Sequence, residues 1–158
     1  MRPRARDVIL AGGAAAASLD IVNACAFWYL YGGTPPARIL QAIAAGLLGK
    51  DAFSGGAATA ALGLALHFLI AFGMAAVYWL ACRRWPALVE RPVGAGLGYG
   101  IVTWAAMNYV VVPLSRATPP PFIAAWFVDG ILAHLLLVGL LLAFTARWSA
   151  RRAVRVRT

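Results

Sequence analysis

Six polar side chains stand inside otherwise apolar stretches of this 158-residue chain. They are two carboxylates, two imidazoles and two carboxamides, at Asp20, Asn23, His67, Asn108, Asp129 and His134. Aspartate and histidine can take up and release protons, and all three side-chain types can hydrogen-bond a small polar species. The chemistry that they suggest is therefore the binding or transfer of protons, small cations or small polar molecules, provided that the fold brings them together.

The composition indicates the environment of these side chains. Hydrophobic residues make up 63% of the chain and charged residues only 12%, whereas about a quarter of an ordinary soluble domain is charged. A disordered chain is excluded because it needs low hydrophobicity. A soluble domain of this size is disfavoured because it must keep much polar surface in contact with water.

Four apolar runs are each long enough for an α-helix to cross about 30 Å of hydrocarbon. They are residues 8–31, 57–82, 93–114 and 122–146. Because a helix satisfies its own backbone hydrogen bonds in lipid, we predict an all-α fold, a four-helix transmembrane bundle that forms a single domain over 1–158. Residues 37–49 have apolar residues at helical spacing but are too short to cross, so we predict a short interfacial or re-entrant helix after the first span.

The positive charges are distributed unequally between the loops. All of the 14 Lys and Arg residues except Arg38, Lys50 and Arg116 lie before the first span, between the second and third, or after the fourth. The positive-inside rule then predicts a multi-pass protein with both termini, including a basic tail at 147–158, in the cytoplasm. The net charge of +9 indicates contact with anionic lipid headgroups and not with nucleic acid.

The two halves of the chain resemble each other. Thr34-Pro35-Pro36 follows the first span and Thr118-Pro119-Pro120 follows the third. The pattern Gly-x-x-x-His occurs at Gly63 to His67 and again at Gly130 to His134. This pattern predicts two hairpins of the same orientation, related as a parallel repeat about an axis along the membrane normal.

Small residues at helical spacing predict where the helices pack closely, since they let two backbones approach each other in lipid. The predicted packing positions, in chain order, are Gly12, Ala16, Gly63, Gly94, Gly98, Gly100 and Gly130.

Counted from the outer ends of the spans at 1.5 Å per residue, the six polar residues lie roughly 7 to 18 Å deep. They can therefore form one polar layer. An ionised aspartate at a helix centre costs about 2.5–3.5 kcal/mol, so Asp20 should face the bundle interior, with His67 or Asn108 as its partner. The layer is interpreted as a hydrogen-bond network that holds the helices in register, a path for protons or small cations, or a ligand pocket.

A haem site is an alternative use of the two histidines. His67 and His134 each follow a glycine by four residues, and a b-type haem between two helices needs two axial imidazoles with a small residue near the porphyrin edge. Otherwise no cofactor is expected. The chain has no G-x-S-x-G elbow, no phosphate-binding glycine loop and no zinc-ligand spacing, so we expect neither a metal nor an enzyme activity.

We therefore expect a membrane protein that binds or conducts protons or another small polar species. The alternatives are a bis-histidine haem protein and a non-catalytic accessory or scaffold subunit of a larger membrane complex. Because four spans are few for a transporter, a homodimer or docking on such a complex is expected.

Three stretches carry a resemblance to a known group of proteins. They are residues 38–49, residues 61–71, and Tyr99-Gly100 together with residues 107–115. In these stretches the chain resembles a family of small, uncharacterised bacterial integral membrane proteins with four predicted spans. The resemblance covers most of the chain between Asp20 and Ser115. It implies a bacterial cytoplasmic (inner) membrane location and supplies no substrate.

Overall fold

The computed structural model describes residues 2–118 and 121–155, most of which are helical and none of which forms a β-strand. Four helices are long and apolar enough to cross a membrane, by length and composition: α1 (Arg6–Gly32), α3 (Gly56–Arg84), α4 (Pro92–Leu114) and α5 (Ala124–Ala153). A shorter helix, α2 (Pro36–Leu48), follows α1. The predicted all-helical class with four long apolar helices is confirmed.

The helix boundaries follow from local chemistry. Gly33 has φ +67°, and its N–H and that of Thr34 bond the carbonyl groups of Tyr29 and Trp28, which ends α1. This left-handed glycine cap is a common helix terminator. Pro35 is extended and Pro36 begins α2, since proline suits the first helical position. The last part of α5 is helical to Arg155, so the helix includes most of the predicted basic tail, whose last three residues lie outside the described part.

The molecule has two ends, which we name by the chain segments found there. The terminal end holds the start of α1, the end of α5 and the α3–α4 connection with its single helical turn, Ala87–Glu90. The loop end holds α2, a 3₁₀ turn at Gly49–Ser54, and the α4–α5 connection. Pro119 and Pro120 in that connection lie outside the described residues.

The long helices pack in the order α3, α1, α5, α4. Within each sequential hairpin the two long helices pack on each other, α1 on α3 and α4 on α5. The two hairpins meet where α1 packs against α5. The two outer helices meet towards the terminal end, where the Tyr78 and Tyr99 rings are 4.8 Å apart and Tyr99 Oη donates to Met74 O at 2.6 Å. The largest buried cluster, which includes Val8, Tyr78 and Leu142, also lies in this half. The parallel-repeat symmetry of the hairpins stays a prediction.

Helix α2 packs against α3 near the loop end. A Cβ placed on Gly63 would overlap the carbonyl group of Leu40, so glycine is required there for close approach. Gln41 is 5% exposed and its Nε2 donates to Gly56 O at 3.0 Å, while Thr59 Oγ1 donates to Ala52 O at 2.7 Å. The short helix is therefore part of the packed structure, and its depth relative to a bilayer stays a prediction.

Most of the predicted packing glycines lie at helix contacts. A Cβ on Gly100 would lie 2.6 Å from His134 O, and one on Gly12 would lie 3.2 Å from Leu142 and Thr145. The prediction needs correction at Gly94 and Gly98, because a Cβ there would meet nothing within 4 Å.

The rotation of α4 about its own axis explains why Gly94 and Gly98 are not packing positions. Gly96 and Gly100 face α5, and residues two positions away point to about the opposite side of a helix with 3.6 residues per turn. Gly139, whose Cβ would overlap the carbonyl of Gly96, is a packing position that the sequence reasoning missed. Of the other predicted positions, Ala16 is buried. A Cβ on Gly130 would be in ordinary van der Waals contact with the indole of Trp104.

Candidate intramembrane polar site

Four of the six polar residues come together on three neighbouring helices. Asn23 Nδ2 on α1 donates to Asp129 Oδ2 on α5 at 2.9 Å. His67 Nε2 on α3 lies 3.9 Å from Asp20 Oδ2 on α1. We call Asp20, Asn23, His67 and Asp129 the polar cluster.

The position of α1 explains how the cluster forms. This helix packs between α3 and α5, and residues three apart on a helix lie on nearly the same face. Asp20 and Asn23 therefore share the inward face of α1, where one approaches α3 and the other approaches α5. The cluster therefore joins two carboxylates, one imidazole and one carboxamide.

His67 is held by a backbone group. Its Nε2 lies 2.9 Å from the carbonyl oxygen of Ala17, which is fully buried. Because a carbonyl oxygen only accepts, Nε2 carries the proton and donates it to Ala17 O. The 3.9 Å separation from Asp20 is too long for a hydrogen bond. It is an electrostatic contact whose strength depends on whether the imidazole is charged.

Asp20 is the chemically available member of the cluster. Within residues 2–118 and 121–155, no group donates a hydrogen bond to its carboxylate, whereas Asp129 accepts one from Asn23. The Asp20 side chain is 23% exposed and that of His67 is 14% exposed. A carboxylate that has unused acceptor positions beside an imidazole can accept a proton, coordinate a small cation or hydrogen-bond a small donor.

Aromatic side chains lie about one helical turn from the cluster, towards the loop end. Trp126 precedes Asp129 by three residues, and Phe27 follows Asn23 by four. The Trp126 ring lies 5.2 Å from the rings of both Phe27 and Trp28. The aromatic group and the Asn23–Asp129 pair thus link the same two helices, α1 and α5, about one turn apart. The sequence analysis did not place these aromatic residues beside the polar residues.

The other two members of the predicted layer, Asn108 and His134, make their side-chain hydrogen bonds within their own helices, and their place in the layer stays a prediction. Asn108 is exposed, and its Nδ2 donates to Trp104 O of its own helix at 2.9 Å. His134 Nδ1 lies 2.9 Å from Gly130 O, also within its own helix. Both residues belong to π-type segments, Met107–Val111 and His134–Leu140. In both cases the side-chain hydrogen bond closes on the residue's own helix and does not cross to a neighbouring helix.

The glycines of the haem alternative do not leave room for a porphyrin edge. The position beside Gly63 holds the backbone of Leu40, and that beside Gly130 holds the indole of Trp104. His67 Nε2 is hydrogen-bonded to Ala17 O, so this ring nitrogen is not free to bind iron. The haem alternative thus loses the space beside the glycines on which it was based.

Other polar contacts that the sequence did not reveal lie at the terminal end. Ser149 is fully buried; its Oγ accepts from the Arg4 N–H at 2.9 Å and donates to Asp7 Oδ2 at 2.6 Å. A serine in an arginine-rich segment carries no local signal for such a role. Its burial follows only from how the end of α5 packs against the start of α1.

Among the residues that the structure describes, no group of three or more His, Cys, Asp or Glu side chains is placed to hold a metal ion. Comparison of the chain with protein-family models, with curated proteins and with solved structures finds no match.

Proposed function

We propose that the protein is a multi-pass membrane protein that binds or conducts protons, or another small polar species, through the polar cluster. The proposal rests on one observation above all. Asp20 and His67 face each other at 3.9 Å between two long apolar helices, where an ionised aspartate costs about 2.5–3.5 kcal/mol. Residues retained against such a cost are functional candidates. In this proposal the protein catalyses no reaction and needs no cofactor.

The distribution of hydrogen bonds supports a binding role over a purely structural one. A network that only holds helices in register pairs its donors with its acceptors, as Asn23 does with Asp129. Asp20 is not paired in this way, and it is more exposed than His67. A carboxylate whose acceptor positions are unused is available to bind a small cation or a small hydrogen-bond donor.

We place the protein in the bacterial cytoplasmic (inner) membrane with the terminal end in the cytoplasm. Arg83, Arg84 and Arg91 lie at the same end as the start of α1 and the end of α5, which is the charge pattern of cytoplasmic loops. Arg83 stacks over Trp79 at 5.0 Å and Arg152 over Trp148 at 5.4 Å. Such pairs suit the headgroup region, where the arginines would contact anionic lipids. A homodimer or a larger membrane complex is the assembly that we propose for so small a conductor.

The test is proton flux into liposomes that contain the purified protein and a trapped pH-sensitive dye. A potassium gradient with valinomycin supplies the driving voltage. We expect the wild-type protein to acidify the vesicles well above the rate of empty liposomes, and Asp20→Asn to return the rate to that of empty liposomes. His67→Gln should lower the rate by roughly tenfold or more, as loss of a positioned proton carrier does elsewhere.

Two control variants match these substitutions. Asp51→Asn removes an exposed carboxylate at the loop end, and Asn108→Ala removes an exposed amide from α4; both should conduct like the wild type. Circular dichroism and gel filtration establish that each variant is folded. Wild-type flux in folded Asp20→Asn would refute conduction through the cluster. Repeating the assay with sodium or potassium gradients and a matching dye identifies a cation other than the proton.

A further inference from the structure

A pocket of about 310 Å³ lies at the loop end and shares no lining residue with the polar cluster. Its apolar lining comes from Ala42, Ala45, Phe53 and Ala117, and its polar lining includes Lys50 and Thr118. This volume is at the lower end of the range for small-molecule sites, about 300–1,000 Å³. It suits a small molecule or the head group of a larger one.

The walls of the pocket are held in place by named contacts. Gly49 has φ +69° and ψ −150°, a conformation essentially confined to glycine, and it turns the chain from α2 into the 3₁₀ segment. The opposite wall is fastened to the end of α2, because the Arg116 N–H donates to Gly46 O at 2.9 Å and Arg116 Nη1 donates to Leu47 O at 3.4 Å.

The positive charges of the loop end gather around this pocket. Lys50 lines it, and the Arg38 guanidinium lies 4.5 Å from the ring centre of the lining residue Phe53. Arg116 Nε would lie 3.9 Å from a Cβ on Gly49, which also lines the pocket. These are the three cations that the sequence places outside the arginine-rich side, and the nearby acid is Asp51, which is exposed.

Lys50 is the free cation of this set. Arg116 bonds a carbonyl at the end of α2, and Arg38 stacks on Phe53. Lys50 is exposed and has no carboxylate within salt-bridge distance in the part of the chain that the structure describes. Its ammonium is therefore available to an incoming anion, and lysine binds phosphate as a point charge.

We propose that this pocket binds the phosphate group of a phosphate ester, with the organic part of the ester lying on the alanine and Phe53 wall. The phosphate would meet Lys50 and the Thr118 hydroxyl. Two sources share this chemistry, namely the head group of an anionic phospholipid and a small soluble phosphate ester. The inference does not depend on the proposed function, because the pocket lies at the loop end and shares no residue with the polar cluster.

The experiment uses the full-length protein in lipid nanodiscs and has two arms. In the first, native mass spectrometry measures phosphatidylglycerol retained from nanodiscs of phosphatidylglycerol and phosphatidylcholine. In the second, glycerol 3-phosphate is titrated into phosphatidylcholine nanodiscs, and binding is followed as a rise in thermal stability. Nanodiscs expose both faces, so neither arm requires a known membrane orientation.

We expect Lys50→Gln to weaken binding by roughly tenfold or more, the usual effect of losing a charged partner. Ala42→Trp, which fills the pocket from α2, should weaken it similarly. Lys50→Arg should bind like the wild type, and Asp51→Asn should bind at least as tightly because it removes the neighbouring negative charge.

The pattern across the arms identifies the source of the phosphate. A loss confined to phosphatidylglycerol assigns the pocket to a lipid head group, and a loss confined to glycerol 3-phosphate assigns it to a soluble ester. Equal binding in both arms by the wild type, Lys50→Gln and Ala42→Trp overturns the proposal. Two variants on different elements, each verified by circular dichroism, keep the result independent of a folding defect in either.

Discussion

Asn23 on α1 donates a hydrogen bond of 2.9 Å to Asp129 on α5, across 106 positions of the chain. The two residues belong to different sequential hairpins, so the bond fixes one hairpin against the other in the loop-end half of the bundle. It also leaves Asp20, three residues earlier on α1, as the carboxylate of the cluster without a hydrogen-bond donor. Asn23 thus has the structural role and Asp20 has the proposed functional role, although both residues lie on the same face of α1.

The Asn23–Asp129 bond should stabilise the bundle measurably. We predict that the double-mutant cycle of Asn23→Ala and Asp129→Ala gives a coupling of about 0.6–1.7 kcal/mol, the range for side-chain hydrogen bonds between membrane helices. The free energy of unfolding is measured by SDS titration in bicelles. Asn108→Ala serves as the control and should cost under about 0.5 kcal/mol, since its amide is exposed and bonds its own helix. Zero coupling would show that the two side chains do not pair.

Gly100 and Gly98 are a matched pair on α4. A Cβ on Gly100 would lie 2.6 Å from the backbone of His134 and Leu135, whereas one on Gly98 meets nothing within 4 Å. Gly100→Ala should therefore cost about 1–3 kcal/mol of unfolding free energy, because the helices must move apart. Gly98→Ala should change it by less than about 0.5 kcal/mol. Equal effects in the same SDS titration would contradict the observed rotation of α4.

Ser149 should anchor the N-terminal segment to α5. Ser149→Ala removes the acceptor of the Arg4 N–H and a donor to Asp7, and the groups left unpaired should cost about 1–3 kcal/mol. Hydrogen exchange should become faster at Arg4 and Val8 and stay unchanged in α4. Ser54→Ala, which removes a hydroxyl from an exposed turn, should leave both measurements unaltered. Unchanged exchange in Ser149→Ala would mean that other contacts hold the segment.

Gln41 should hold α2 against the start of α3. Gln41→Leu keeps the size of the side chain but removes the Nε2 donor to Gly56 O, so we expect a loss of about 0.5–1.5 kcal/mol. Amide exchange in α2 should accelerate relative to α1. The control is Leu47→Ala on the exposed side of α2, which should not accelerate exchange. If both variants behave alike, the bond does not position the short helix.

The orientation in the membrane is tested by cysteine labelling. In a variant with Cys25→Ala and Cys82→Ala, an added Ser54→Cys lies at the loop end and an added Ala87→Cys at the terminal end; both positions are exposed. An impermeant maleimide should label intact spheroplasts at position 54 only, and at position 87 after permeabilisation, because arginine-rich loops stay in the cytoplasm. The reverse pattern would place the terminal end outside.

The sequence by itself determined the four long helices and the short helix between the first two. The length of an apolar run and the position of proline or glycine at its ends are local properties that can be read in one dimension. Gly33 and Pro36 show this, since the structure ends α1 and begins α2 at these residues.

Only the tertiary structure decided which side chains meet. Whether a residue faces a neighbouring helix depends on the rotation of each helix and on the order α3, α1, α5, α4, and neither is encoded within a single run. Asp129 therefore joins the cluster while Asn108, at a similar predicted depth, faces outward. The π-type segments add to this, because one wider turn changes the rotation of every later residue relative to a count at 3.6 residues per turn.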